Sequence, residues 1–330
     1  MDWLPVALVI GLALIFAFTN GFHDASNSVA TAIATRALSP RIAITMAAGL
    51  NLVGAFLGEG IARTIGENII VPPDGTEGLI LITAALLGAV AWNLITWWWG
   101  MPSSSTHALI GGLAGASLAA GSTVLWSGIW TDVVLPMFVS PLAGLVVAYL
   151  GMRVLVRVVG NHRRQGVDRD LRRAQVASAA AMALGHGLQD AAKTMGVVVL
   201  ALSVTGHGGG DGVPWPVMVS AAVALAAGTY AGGWRIMRTL GRRIISPAPE
   251  PAQGMVAEAS AAAVLYLAAV AHAPVSTTHT ITSAILGTGL TGRSSAIRWG
   301  VIRRILLTWV LTFPAAAGLA ALLCAVVLAL

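Results

Sequence analysis

Pro102-Ser103-Ser104-Ser105-Thr106-His107 returns 172 positions later (274 − 102 = 172) as Pro274-Val275-Ser276-Thr277-Thr278-His279. Proline followed by hydroxyl-bearing residues predicts a helix start, because proline suits the first helical turn, where its missing N–H is not needed. Two other phrases repeat in the same order. Gly21-Phe22-His23-Asp24 is echoed by Gly187-Leu188-Gln189-Asp190, an offset of 187 − 21 = 166. Arg63-Thr64-Ile65-Gly66 is echoed by Arg238-Thr239-Leu240-Gly241, an offset of 238 − 63 = 175. Three matches in one order, with offsets that agree to within a short loop, predict a duplicated chain. A basic, hydrophilic stretch over 157–173 sits near the middle and reads as a cytoplasmic linker between a first repeat, 1–156, and a second, 174–330.

The copies are membrane-embedded. Of 330 residues, 57% are hydrophobic and 10% charged, and mean hydropathy is +0.82, too apolar for a soluble domain. Apolar blocks run over about 3–22, 41–61, 79–99, 102–120, 131–152, 174–204, 215–234, 255–272, 274–290 and 305–330. Each approaches the roughly 20 residues that span a hydrocarbon core. They read as helices, being too long and too uniformly apolar for barrel strands. The fold expected is therefore an all-α polytopic membrane protein. Met1-Asp2-Trp3 lacks a basic leader, so the first block reads as a retained span. The single cysteine, Cys324, allows no internal disulfide. The pI of about 10.6 comes from arginines in short loops, not from a basic domain with stacking aromatics, so nucleic acid is rejected as a partner.

Charge sets the relative orientation of the copies. Arg36 and Arg41 follow the first block, Arg153 to Arg173 the fifth, Arg235 to Arg243 the seventh and Arg293 to Arg304 the ninth. The intervening loops carry Glu67, Asp74, Glu77 and Asp211, with Arg63 the exception. Basic loops belong in the cytoplasm, which places both termini outside. Five crossings per half, an odd number, turn the second copy upside down. If the first and fourth blocks of each half were re-entrant hairpins, three crossings would remain, and the inversion would survive. Inverted repeats with interrupted or re-entrant helices around a midplane site are the architecture of many secondary transporters.

Asp24 and Asp190 lie deep in apolar sequence, where a carboxylate costs about 2.5–3.5 kcal/mol on insertion scales. The plain alternative is a packing aspartate satisfied by backbone N–H groups. Gly21 and Gly187, just before them, are suited to breaking the helix and freeing backbone groups for an ion. Asn27 and Lys193 follow at i+3, on the same helix face, and Lys193 is the chain's one lysine. It serves either to neutralise Asp190 or to meet an anion as a point charge. Ser103, Ser104, Ser105, Thr106, Ser276, Thr277 and Thr278 stand at helix starts, whose free N–H groups and dipole bind oxyanions; ordinary capping is the alternative. His107 and His279 either orient these loops or carry protons.

Acids beside an anion site make sense as coupling: a cation bound to a carboxylate cancels the repulsion that would expel the anion. Hydrogen phosphate also has a proton to offer a carboxylate and sulfate has none, which favours phosphate. A sulfate permease of the same fold is the nearest rival. An intramembrane hydrolase using Ser104, His107 and an aspartate, a metal site at His23, Asp24 and His186, and a channel are more distant ones. Trp97, Trp98, Trp99, Trp126 and Trp130 read as interfacial anchors.

The chain resembles the inorganic phosphate transporters (the Pit, or Pho4-related, family), bacterial members in particular. The resemblance covers essentially the whole chain and is carried by Asn20 to Thr31, His186 to Gly196 and Ala273 to Thr280. It implies a homodimer importing phosphate across the plasma membrane by symport, with no enzyme activity and no cofactor beyond a coupling ion. Arsenate is a second substrate by the same chemistry. Phosphate is expected at the seven hydroxyl residues with Asn27, Lys193 and Thr194. The coupling ion, H⁺ or Na⁺, is expected at Asp24, Asp190 and Glu258, with sodium placed at the two aspartates, and His23, Gln189, His107 and His279 in support. The family's Gly-x-Asn-Asp signature maps onto Gly21 to Asp24 and Gly187 to Asp190, with His23 and Gln189 replacing asparagine. Asn51 stands where sodium-coupled animal relatives have an acid, which leans toward protons, although Asp24 and Asp190 suit Na⁺ equally.

Overall fold

The computed structural model describes residues 3–159, 164–207, 212–246, 249–292 and 296–330. Helices dominate, as an apolar solvent demands, because a helix satisfies its backbone within one segment. The first half contains α1 (Trp3–Ala34), α2 (Pro40–Ala55), α3 (Glu59–Glu67), α4 (Thr76–Trp99) and α5 (Ser105–Ala119). It closes with α6 (Trp126–Gly128), which continues through a π-helical stretch, Ile129–Val134, into α7 (Leu135–Val159). The second half repeats the order as α8 (Arg164–Val204), α9 (Trp215–Ala231), α10 (Trp234–Arg242), α11 (Pro251–Val270), α12 (Thr277–Gly289) and α13 (Trp299–Ala329).

The halves are inverted. Thr35, just past the end of α1, bonds Gln175 near the start of α8 at 2.7 Å. Asn20 meets Asp190 at 3.2 Å, and Trp3 packs on His207 with ring centroids 4.1 Å apart. The equivalent helices α1 and α8 therefore run antiparallel. One end of the molecule, here the acidic face, holds the start of α1, the end of α8 and α3. The other, the basic face, holds the end of α1, the start of α8 and α10. Equivalent elements also exchange partners: α1 packs on α9 and α2 on α8, while α5 packs on α13 and α12 on α7.

Four segments per half are long and apolar enough to cross, each bent pair counted as one, where five were expected. α2 and α3 meet at 67° and α9 and α10 at 69°, so each pair is one broken span. The third and fourth blocks, not the first and fourth, make the re-entrant hairpin. α4 begins at the acidic face, where Gly75 N–H bonds Val204 C=O at 2.6 Å. It descends to the depth of His23, which Thr96 contacts at 3.1 Å, and turns. α5 then returns to the acidic face, where β2 (Thr123–Val124) pairs with β1 (Ile70–Val71), the strand that follows α3. α11 and α12 mirror this from the basic face, where Gly254 abuts Gln175 and a bridge joins Ile245 to Ile297. The reason is length. At about 1.5 Å per residue, the 15 residues of α5 and 13 of α12 cover roughly 22 and 20 Å, short of a roughly 30 Å core.

Two further expectations change. Neither α1 nor α8 breaks at its glycine; both are continuous through Asp24 and Asp190. The glycines serve close approach instead. A Cβ on Gly21 would strike the carbonyl oxygen of Leu225 in α9, and one on Gly187 the backbone of Asn51 in α2. Of the basic stretch 157–173, residues up to Val159 end α7 and those from Arg164 onward begin α8. Residues 160–163, Asp211 and Arg293 lie outside the described residues.

Candidate functional site: a buried carboxylate pair between two hairpin tips

Asp190 lies 190 − 175 = 15 residues from Gln175 and 204 − 190 = 14 from the end of α8, about 22 and 21 Å along the axis. That is the middle of the bilayer depth. Asp24, His186 and Asp190 each present a ligand-type atom within 4.8 Å of the others, so both halves deliver their acid to one point. The residues around them are closed off: Asp24, Ser105, Thr277, Thr278 and Lys193 are each 1% exposed.

The hairpin tips supply the other half of the site. Ser104 and Ser276 are N-caps, their hydroxyls accepting from His107 N–H at 3.3 Å and His279 N–H at 3.2 Å. The capping alternative thus holds for these two, and the following hydroxyls are left free to face the carboxylates. Ser105 donates to Asp24 Oδ2 at 3.0 Å and Thr278 to Asp24 Oδ1 at 3.2 Å. One aspartate is therefore held by the first turns of both hairpin helices, α5 from the first half and α12 from the second. Both helix N-termini aim their positive dipole ends at it.

The i+3 residues bridge the copies. Asn27 Nδ2 donates to Thr278 at 2.8 Å and reaches Thr277 at 3.3 Å. Lys193 Nζ donates to Asp190 Oδ1 at 2.7 Å and to Ser105 at 2.8 Å. The neutralising reading of this lysine holds, since it pairs with Asp190, and its second bond places the ammonium at the helix start of α5. With its histidines uncharged the cluster carries a formal −2 + 1 = −1, offset in part by the two helix N-termini and their hydroxyl donors.

His23 and Gln189 share one task. His23 contacts Asp24 at 2.7 Å and braces its own half's hairpin through Thr96 at 3.1 Å and Ser103 at 3.3 Å. Gln189 braces the other hairpin by backbone bonds, donating to Leu265 C=O at 3.4 Å and accepting from Val275 N–H at 3.3 Å. The extra length of Gln189 is taken up by the hairpin, not by the carboxylates.

Not every expected residue joins the cluster. Thr106 donates to Val275 C=O at 3.4 Å, tying the tips together. His107 and His279 pack against each other at 4.8 Å, and His279 stacks on Trp309 at 3.8 Å, so they sit behind the tips. Thr194 is buried, and its hydroxyl has no partner among the described residues. Glu258 stands apart, two turns along α1, where it accepts from Thr31 and from Ser178 at 2.8 Å. Asn20 was not expected here, and His186 only in the metal-site alternative; both belong to the cluster. Asn20 bonds Asp190, while His186 Nε2 is 2.9 Å from Asp190 Oδ2 but off the hydrogen-bond direction. Their separation, 186 − 20 = 166, equals that of the aspartates, and this was the available signal.

Inverted repeats, broken spans, re-entrant hairpins and a mid-depth carboxylate pair capped by two helix N-termini define a secondary-transporter architecture. The chain belongs to the phosphate transporter family, whose model matches residues 20–169 and again 160–320. It is 44% identical over 313 residues to a "Probable low-affinity inorganic phosphate transporter" of Mycobacterium tuberculosis (strain ATCC 25618 / H37Rv), covering 94% of this chain and 74% of the relative. A protein of the same description from Bacillus subtilis (strain 168) is 39% identical over 317 residues, covering 96% and 95%. Among solved structures, "The sodium-dependent phosphate transporter" shares the fold with a TM-score of 0.89 at 23% identity, covering 99% of each chain.

Proposed function

We propose that this protein imports inorganic phosphate across the plasma membrane by symport with H⁺ or Na⁺, as a homodimer. One observation carries the reading: Asp24 accepts hydroxyls from both hairpins, Ser105 and Thr278. A cation or proton arriving between Asp24 and Asp190 weakens Asp24 as an acceptor and releases these hydroxyls toward an oxyanion. Lys193 and the N-termini of α5 and α12 supply the positive field, and Asn27 and Thr277 further donors. Cation and phosphate thus bind in sequence at one point, and one repeat then rocks against the other to expose them on the far side. Arsenate, which carries the same proton as phosphate, is a second substrate on this reading.

The charge asymmetry supports the orientation. The face with the start of α1 and the end of α13 carries Glu59, Glu67, Asp74 and Glu77, and the opposite face Arg36, Arg235, Arg238 and Arg242. Basic loops inside put both termini outside. Nothing in the reading calls for an enzyme: the hydroxyls and carboxylates come in pairs to hold a substrate between halves.

Reconstitution into proteoliposomes with a Na⁺ or a pH gradient imposed one at a time tests the proposal. Phosphate accumulation driven by one gradient, inhibited by arsenate and not by sulfate, is the expected result. Sulfate competing as well as arsenate would favour the permease reading, and flux indifferent to both gradients would rule out symport.

A further inference from the structure

The repeated Arg-Thr-x-Gly phrase lies outside the carboxylate cluster, yet the structure gives both copies one job. Thr64, in α3, donates to the carbonyl of His272 at 3.0 Å. Thr239, in α10, donates to the carbonyl of Gly100 at 2.7 Å. His272 and Gly100 are equivalent tip residues (272 − 100 = 172), just past the ends of α11 and α4. Both take left-handed backbone, φ 51° and 65°. For a histidine that conformation is uncommon.

Each bond crosses between halves. The first half's broken span holds the second half's hairpin tip from the acidic side, and the second half's broken span holds the first half's tip from the basic side. Behind each tip lies the helix start whose hydroxyl bonds Asp24. Each bond also borders a cavity: about 490 Å³ lined by Glu59, Arg63, Glu67 and His272, and about 320 Å³ lined by Trp98, Gly100, Arg235 and Arg238. The two halves thus present the same arrangement, a cavity and a latched tip, on opposite sides of the buried carboxylates.

We propose that Thr64 and Thr239 are the paired gates of the transport site, each latching one hairpin tip and sealing one face. This rests on the alternating reading of the site given above. With both bonds formed, the site is closed from both sides. Breaking the Thr64 bond frees the tip of α11–α12 and opens the acidic face; breaking the Thr239 bond frees the tip of α4–α5 and opens the basic face. The basic-face gate is reinforced. Arg235 donates to Trp98 C=O at 2.8 Å, and its guanidinium lies 4.4 Å from the centre of the Trp98 ring. The equivalent position on the acidic side (235 − 175 = 60) is Gly60, which has no side chain to add.

Side-specific thiol labelling tests the gates without reading transport. In a Cys324→Ser background, single cysteines are placed behind the tips, Val275→Cys for the acidic face and Ser103→Cys for the basic. Thr64→Val should raise labelling of the first by an impermeant reagent from the acidic face about fivefold, the shift expected from losing one hydrogen bond. Thr239→Val, and independently Arg235→Ala, should do the same for the second from the basic face. Thr→Ser at either gate keeps the hydroxyl and should leave labelling unchanged. Labelling that stays flat, or that rises at both reporters in each variant, overturns the gates. Absence of phosphate flux in the wild type would overturn the transport reading while leaving this result standing.

Discussion

Asn20 of the first half donates to Asp190 of the second at 3.2 Å, so the carboxylate of one copy is completed by an amide from the other. The same exchange recurs with Lys193 on Ser105 and Thr278 on Asp24. Neither half holds a whole site. A change in the packing of one half against the other therefore alters the ligand set directly, which is what coupling transport to a rocking motion requires.

Asp24→Asn and Asp190→Asn should each abolish gradient-driven phosphate uptake while the protein still reaches the membrane. An amide cannot be neutralised by a cation, so the release of Ser105 and Thr278 loses its trigger. Uptake and membrane abundance measured on the same cells check this. Wild-type uptake in both variants would remove the carboxylates from the mechanism.

Ser105→Ala and Thr278→Val each delete a donor to a charged group, worth about 1.5–3 kcal/mol. Phosphate affinity should fall by roughly ten- to a hundredfold, with little change in expression. Thr106→Val, whose hydroxyl meets the Val275 backbone, should weaken binding less. Isotherms of phosphate binding to purified protein compare the three.

Lys193→Met strips a partner from a fully buried aspartate and should cost about 3–5 kcal/mol of stability. Lys193→Met with Asp190→Asn, which removes both charges, should recover much of it. Thermal unfolding in detergent distinguishes a pair that stabilises from a lysine that only meets substrate, for which the double variant would be no more stable than the single.

Gly21→Val and Gly187→Val force a side chain into the backbone of α9 or α2, a strain of about 1–3 kcal/mol or more. The melting temperature should drop for both. Gly11→Ala, at a position with open space, should leave it unchanged or raise it, since alanine favours helix. Equal tolerance at all three sites would show that close helix approach is not what these glycines provide.

The duplication, the membrane setting, the antiparallel copies and the aspartate pair were all legible along the chain. Each is a property of residue type and order: apolar length, arginine placement and a repeated phrase. Asn20 and His186 stand at the same offset of 166 as the aspartates, although Asn20 differs in type from its counterpart and His186 was expected only in the metal-site alternative. The tip gates were half visible, because Arg-Thr-x-Gly was seen as a repeat while its acceptors, the carbonyls of Gly100 and His272, carry no signature of their own.

What the chain could not disclose is which block turns back, because hydropathy measures how apolar a segment is and not where it ends in depth. Thirteen or fifteen apolar residues read like a short span until the tip is seen resting beside Asp24. Nor could order along the chain show that Gln189 faces a hairpin and Glu258 stands two turns from the cluster. Those facts depend on how helices from opposite halves cross, and crossing is settled by backbone contacts such as Gly21 against Leu225. Composition chose the solvent and repetition chose the symmetry; only packing chose which side chains meet.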